Sequence, residues 1–73
     1  IPRQHIATLN DLTPETEAVM SHLFRGARQV AAQEGIAEDG YRTVLNCNVA
    51  GGQSVYHLHL HLLGGRSLHW PPG

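Results

Sequence analysis

The sequence predicts an α+β fold in which an antiparallel sheet carries one long helix on a face. Two observations carry this. A stripe of apolar residues recurs at helical spacing between Pro14 and Glu34, and two β-rich stretches, 41–46 and 53–63, follow it across a glycine-containing loop. The chain has 73 residues, enough for one small domain or part of one, and its one cysteine, Cys47, excludes an internal disulfide and any cysteine-rich zinc site. A core of this size supplies only about 3–5 kcal/mol without such staples. A partner subunit or a further segment is therefore expected to complete it.

Residues 1–12 read as the end of one element and a loop, punctuated by Pro2 and Asn10-Asp11. Thr13-Pro14-Glu15 is a helix start: a hydroxyl to cap, a proline for the first helical position, and an acid for the positive helix end. Met20, Leu23, Phe24, Ala27, Val30 and Ala31 form the apolar stripe, and Gly35 stops the helix in a left-handed conformation. His22, beside the stripe, reads as a surface histidine. Glu38-Asp39-Gly40 is a turn, Tyr41 to Asn46 is a strand, and Asn48 to Gly52 is a loop. Gln53 to Leu63 reads as a second, longer strand ended by Gly64-Gly65, and the two strands should pair as a hairpin. Arg66 to Gly73 is a tail whose prolines bar it from a central strand.

Charge is unevenly spread. Residues 1–39 hold six acids and three arginines, whereas residues 40–73 hold Arg42, Arg66 and no acid at all, and lysine is absent throughout. A half without carboxylates can receive an anion without repelling it. It is a poor place for magnesium or calcium, which take oxygen ligands. The basic charge is too sparse for a nucleic-acid groove. No apolar run is long enough to cross a bilayer and no signal peptide is visible, so neither a membrane nor a nucleic acid is an expected partner and a cytoplasmic location is the expectation.

The informative stretch is Tyr56-His57-Leu58-His59-Leu60-His61-Leu62. On a strand, alternate side chains share a face, which puts His57, His59 and His61 on one side and the leucines against the helix. Three histidines buried as mere core residues would each need polar partners, at a cost leucine avoids. Two functional readings remain. Alternate histidines can chelate zinc, though a zinc histidine usually leans on a carboxylate, and this half has none. Alternatively, imidazoles can donate to a phosphate or attack its phosphorus. Gly51-Gly52-Gln53-Ser54, just upstream, offers backbone N–H groups and side-chain donors to an anion.

The run Gly51 to Arg66 closely resembles the histidine triad signature, His-φ-His-φ-His-φ-φ with φ apolar. The ending His69-Trp70-Pro71-Pro72-Gly73 resembles the purine nucleoside phosphoramidase branch of that family, whose members are nucleotide-binding proteins. Ile1 to Ile6 resembles the family segment bearing a further active-site histidine, and Gly40 to Asn46 its penultimate strand. The resemblance implies a hydrolase or transferase that attacks the α-phosphorus of purine nucleoside 5′-phosphoramidates, cleaving their P–N bond, or of aminoacyl adenylates, as a homodimer and without a cofactor or metal. By position it implies His59 as the nucleophile that forms a nucleotidyl-histidine, and His57 as the residue that orients it. His61 and Ser54 would contact phosphate and leaving group, and His5 would complete the network around His57. Asn46, Gly52 and Gln53 would bind nucleotide, and Trp70 would reach the partner's site and shape leaving-group preference. Cys47 and His69 take no role. Domains of the family are longer than this chain, and their N-terminal part is expected to be missing here, leaving a sheet edge exposed or covered by a partner. Two rival expectations follow: a nucleotide-binding module without turnover, and a dinucleoside polyphosphate hydrolase, which the Trp-Pro-Pro-Gly tail disfavours.

Overall fold

A computed structural model describes all 73 residues. Its order is a short 3-10 turn (Leu9–Asp11), helix α1 (Ala18–Gln33), and strands β1 (Tyr41–Val44) and β2 (His61–Gly64). The strands form one antiparallel pair in the register Tyr41↔Gly64, Arg42↔Leu63, Thr43↔Leu62 and Val44↔His61. The α+β class and the antiparallel hairpin are as the sequence predicts.

The boundaries differ, each for a local reason. The helix begins at Ala18 rather than Pro14. Before it, the Thr13 carbonyl accepts from both Thr16 N–H and Glu17 N–H, and the Thr13 N–H donates back to Thr16 Oγ1 at 2.8 Å. The residues after Thr13 thus close tight turns first, and the regular ladder starts one turn later. At the other end Gly35 takes φ 73°, its N–H donates to the Ala32 carbonyl, and Ile36 N–H donates to the Ala31 carbonyl. This is a Schellman closure, which a left-handed glycine makes cheap.

Both strands are shorter than the hydrophobic pattern suggests. β1 stops at Val44 because its partner begins at His61, and a ladder cannot outrun its partner. Gln53 to Leu60, expected as strand, has no neighbouring strand to bond. Val49 to Gly52 instead closes a turn, with Gly52 N–H on the Val49 carbonyl at 3.0 Å. One backbone bond ties the histidine stretch to the N-terminal segment, from Leu58 N–H to the Ile6 carbonyl at 2.6 Å.

The core is small. Five residues are buried: Ile6, Thr8, Ala31, Gln53 and Leu58. Ala31 and Leu58 are wholly excluded from solvent, one from the helix stripe and one from the leucine side of the histidine stretch. Those two stripes face each other as expected, but between them runs an open groove of about 280 Å³ lined by Leu23, Ala27, Val30, Leu60 and Leu62. Phe24 and Val30, assigned to the stripe, lie at its margin and are 44 % exposed. Both edges of the two-stranded sheet are unpaired.

Thr8 closes the N-terminal segment. Its Oγ1 accepts from Asn10 N–H, while Asp11 Oδ2 accepts from the Thr8 N–H and hydroxyl at 3.0 and 2.9 Å, a capping box on a single turn. Leu58→Ala should lower stability by about 2–4 kcal/mol. With about 3–5 kcal/mol available to a core of this size, the variant should lose most of its helical ellipticity at 25 °C. Retention of the wild-type urea midpoint would show that Leu58 is not the centre of the core.

Candidate functional site

The site grows from three consecutive residues. Leu58 points inward and is fully buried, so its neighbours His57 and His59 are turned outward and are each half-buried. His59 Nδ1 lies 2.7 Å from the His57 carbonyl oxygen. A carbonyl only accepts, so Nδ1 carries the proton, and in the neutral ring Nε2 is left with its lone pair. His57 Nε2 lies 2.9 Å from the Pro2 carbonyl oxygen, so Nε2–H donates there and the opposite tautomer is selected. Neighbouring rings are thereby held in opposite protonation patterns by two backbone oxygens.

The other histidines join as edge-to-face pairs. His5 meets His57 with ring centroids 5.2 Å apart at 90°, and His61 meets His59 at 4.8 Å and 76°. His5 and His61 are exposed, at the two ends of the cluster. The four histidines expected in the site are thus brought together.

The glycine loop precedes the histidine stretch in the chain. A Cβ on Gly51 would stand 2.5 Å from the Cys47 carbonyl oxygen, and Gly52 has φ 84°, so neither position admits a side chain without strain. Asn46 is half-buried, with its amide nitrogen 4.0 Å from where a Gly52 Cβ would be. Ser54 is exposed. Gln53 departs from its expected place: it is 5 % exposed and its amide is bonded to Asn48, Ala7 and Val55 of the chain itself.

Trp70 is not among the histidines. It is 82 % exposed and sits by Arg42, whose guanidinium carbon is 5.8 Å from the Trp70 ring centroid and whose Nη2 donates to the His69 carbonyl at 3.1 Å. His22 is exposed on the helix and Cys47 is a half-buried thiol. No three side chains of His, Cys, Asp or Glu converge within this chain in the way a metal site needs.

Two features escaped the sequence reading. The Pro2 carbonyl that fixes His57 leaves no sequence signal, because every residue has a carbonyl. The Arg42 clasp on the tail had one: the sole arginine of β1 and the sole tryptophan of the chain.

The HIT domain model matches residues 1–68. The chain is 53 % identical over 68 residues to a purine nucleoside phosphoramidase of Escherichia coli K12, covering 93 % of this chain and 57 % of that protein. It is 60 % identical over 73 residues to an uncharacterized HIT-like protein of Synechococcus elongatus, covering 100 % of this chain and 63 % of that one. Among solved structures, a HIT family hydrolase from Legionella pneumophila superposes with TM-score 0.96 at 51 % identity over the whole of this chain and 65 % of its own. A histidine triad protein from Clostridium difficile gives 0.91 at 33 %, over 94 % of this chain and 60 % of its own.

A cluster of imidazoles that leads into an antiparallel strand pair, with one long helix, defines a histidine triad architecture. This chain belongs to the HIT domain family. It spans less than two thirds of the length of each of these relatives.

Arg42→Ala should free the tail. Trp70, the only tryptophan, reports on it directly. Its steady-state anisotropy should fall and acrylamide quenching should rise, while helical ellipticity holds, since an exposed cation–π contact contributes only about 0.5–1 kcal/mol. Unchanged anisotropy would mean that another contact holds the tail.

Proposed function

We propose that this chain carries the chemical part of a phosphoramidase-type nucleotide hydrolase acting on purine nucleoside 5′-phosphoramidates or aminoacyl adenylates. The observation that carries the reading is the hydrogen bond from His59 Nδ1–H to the His57 carbonyl, which leaves Nε2 of the neutral ring unprotonated. The relative in Escherichia coli named a purine nucleoside phosphoramidase supports the substrate class.

In this reading His59 Nε2 attacks the α-phosphorus. A P–N bond to His59 forms as the bond from phosphorus to the leaving group breaks: the amine of a phosphoramidate takes up a proton from solvent as it departs, and the carboxylate of an aminoacyl adenylate departs without one. Positive charge grows on the imidazole as it attacks, and the His57 carbonyl, already accepting Nδ1–H, stabilises it without reorganising. Water then attacks phosphorus, the bond to His59 breaks, and the nucleoside monophosphate leaves. The covalent step divides one difficult displacement into two. His61, edge-on to His59, and the exposed Ser54 would donate to the phosphoryl oxygens and leaving group. The backbone of the Gly51-Gly52 turn and the Asn46 amide supply further donors to the nucleotide. The site's half of the chain holds no acid, so nothing there repels the anion.

The ring of His57 acts at one remove. It is fastened to the Pro2 carbonyl, and its own carbonyl orients His59. The unpaired sheet edges and the open groove beside the helix support assembly as a homodimer, with Trp70 reaching the partner's site.

His59→Ala should reduce release of a fluorescent amine from an adenosine phosphoramidate by ~10³-fold or more, the scale on which a lost nucleophile is felt. AMP binding by calorimetry should remain measurable. His57→Ala keeps the carbonyl and loses only the anchor, so its loss should be smaller, about 100-fold or less, as for a displaced reacting group. Full turnover in His59→Ala would end the covalent mechanism. Binding of AMP by the wild type without turnover would instead identify a nucleotide-binding module.

A further inference from the structure

The side chain of Gln53 has no donor left for a ligand. Its Nε2 gives one N–H to the Ala7 carbonyl at 2.8 Å and the other to the Val55 carbonyl at 3.1 Å, and its Oε1 accepts from Asn48 N–H at 2.9 Å. A primary amide has only two donors. The bonds to Asn48 and Val55 are local to the loop. The bond to Ala7 joins residues 46 positions apart. Shielding from water strengthens all three, since Gln53 is 5 % exposed.

What the long bond joins is specific. Ala7 ends the segment that carries Pro2 and His5. That segment touches the histidine stretch at three places: Pro2 O on His57 Nε2, the His5 ring on the His57 ring, and Ile6 O on Leu58 N–H. Gln53 provides a fourth tie, from outside the histidine cluster, and the same amide holds Asn48 in its left-handed conformation of φ 62° at the turn before Gly51-Gly52. One buried side chain thus sets the spacing between the segment that fixes the His57 tautomer and the Gly51-Gly52 loop.

We infer that Gln53 is a positioning residue for the histidine cluster: its amide clamps the segment bearing Pro2 and His5 onto the Gly51–Ser54 loop, and acts on the reaction through both. The inference rests on the hydrolase reading for its kinetic consequence but not for its structural one. It replaces the expectation that the Gln53 side chain binds nucleotide.

Gln53→Met tests it, keeping length and neutrality while removing all three bonds. In phosphoramidate hydrolysis by this chain, kcat should fall roughly tenfold to a hundredfold, the range expected when reacting groups are displaced by about 1 Å. KM should stay within about twofold, because no ligand contact is lost. In the ligand-free protein, nitrogen-15 spectra should show the His57 ring moving from one tautomer, with Nε2 protonated, toward a mixture. A rise in KM alone with an unchanged His57 spectrum would overturn the clamp and restore a direct ligand contact, and wild-type kcat with that spectrum unchanged would overturn it outright. If Gln53→Met loses its helical ellipticity, Gln53→Glu keeps the bond to Asn48 N–H and gives up the tie to Ala7, and an unaltered His57 spectrum there overturns the inference. Absent turnover in the wild type would sink the hydrolase reading, while the His57 spectrum still decides the clamp.

Discussion

The site depends on Leu58. It is the largest side chain fully removed from water, and its N–H is the one backbone group that bonds the histidine stretch to the N-terminal segment. Burying Leu58 inward forces the flanking rings of His57 and His59 outward, and bonding its amide to Ile6 brings Pro2 and His5 within reach of His57. Apolar burial and one hydrogen bond, neither chemically active, therefore decide where the imidazoles stand. A regular ladder does not do this work: β2 begins only at His61, where the cluster ends.

Much of this was legible in the sequence because its signals are local. The helix stripe, the left-handed Gly35 and the pairing of the two β-rich segments depend on spacing and on single residues, and each is found. The His57-Leu58-His59-Leu60-His61 run named the cluster and its family together. Strand length was not legible. Gln53 to Leu60 has strand composition, yet a strand exists only where a neighbour bonds it, and composition carries no record of neighbours. The helix start failed for a similar reason: Thr13 and Thr16 bond each other and delay the ladder, an outcome no single-residue preference contains.

Within the site, residue type was readable and wiring was not. Asn46 lies beside Gly52, and Ser54 is exposed. Gln53 has a polar side chain in the same run, yet its partners are a carbonyl 46 positions away and two within its own loop. A glutamine aimed at a ligand and one aimed at the backbone look alike in a sequence. Trp70 likewise shows its partner, Arg42, only once β1 and the tail lie side by side.

The bond that sets the His59 tautomer lies between residues two apart. Its formation closes almost no loop, so it costs little chain entropy and needs no sheet, helix or partner to be complete. The protonation pattern of His59 is thus a short-range property of a tripeptide, whereas that of His57 depends on a carbonyl 55 positions away. Loss of the N-terminal segment would release the His57 ring before it disturbed the protonation pattern of His59.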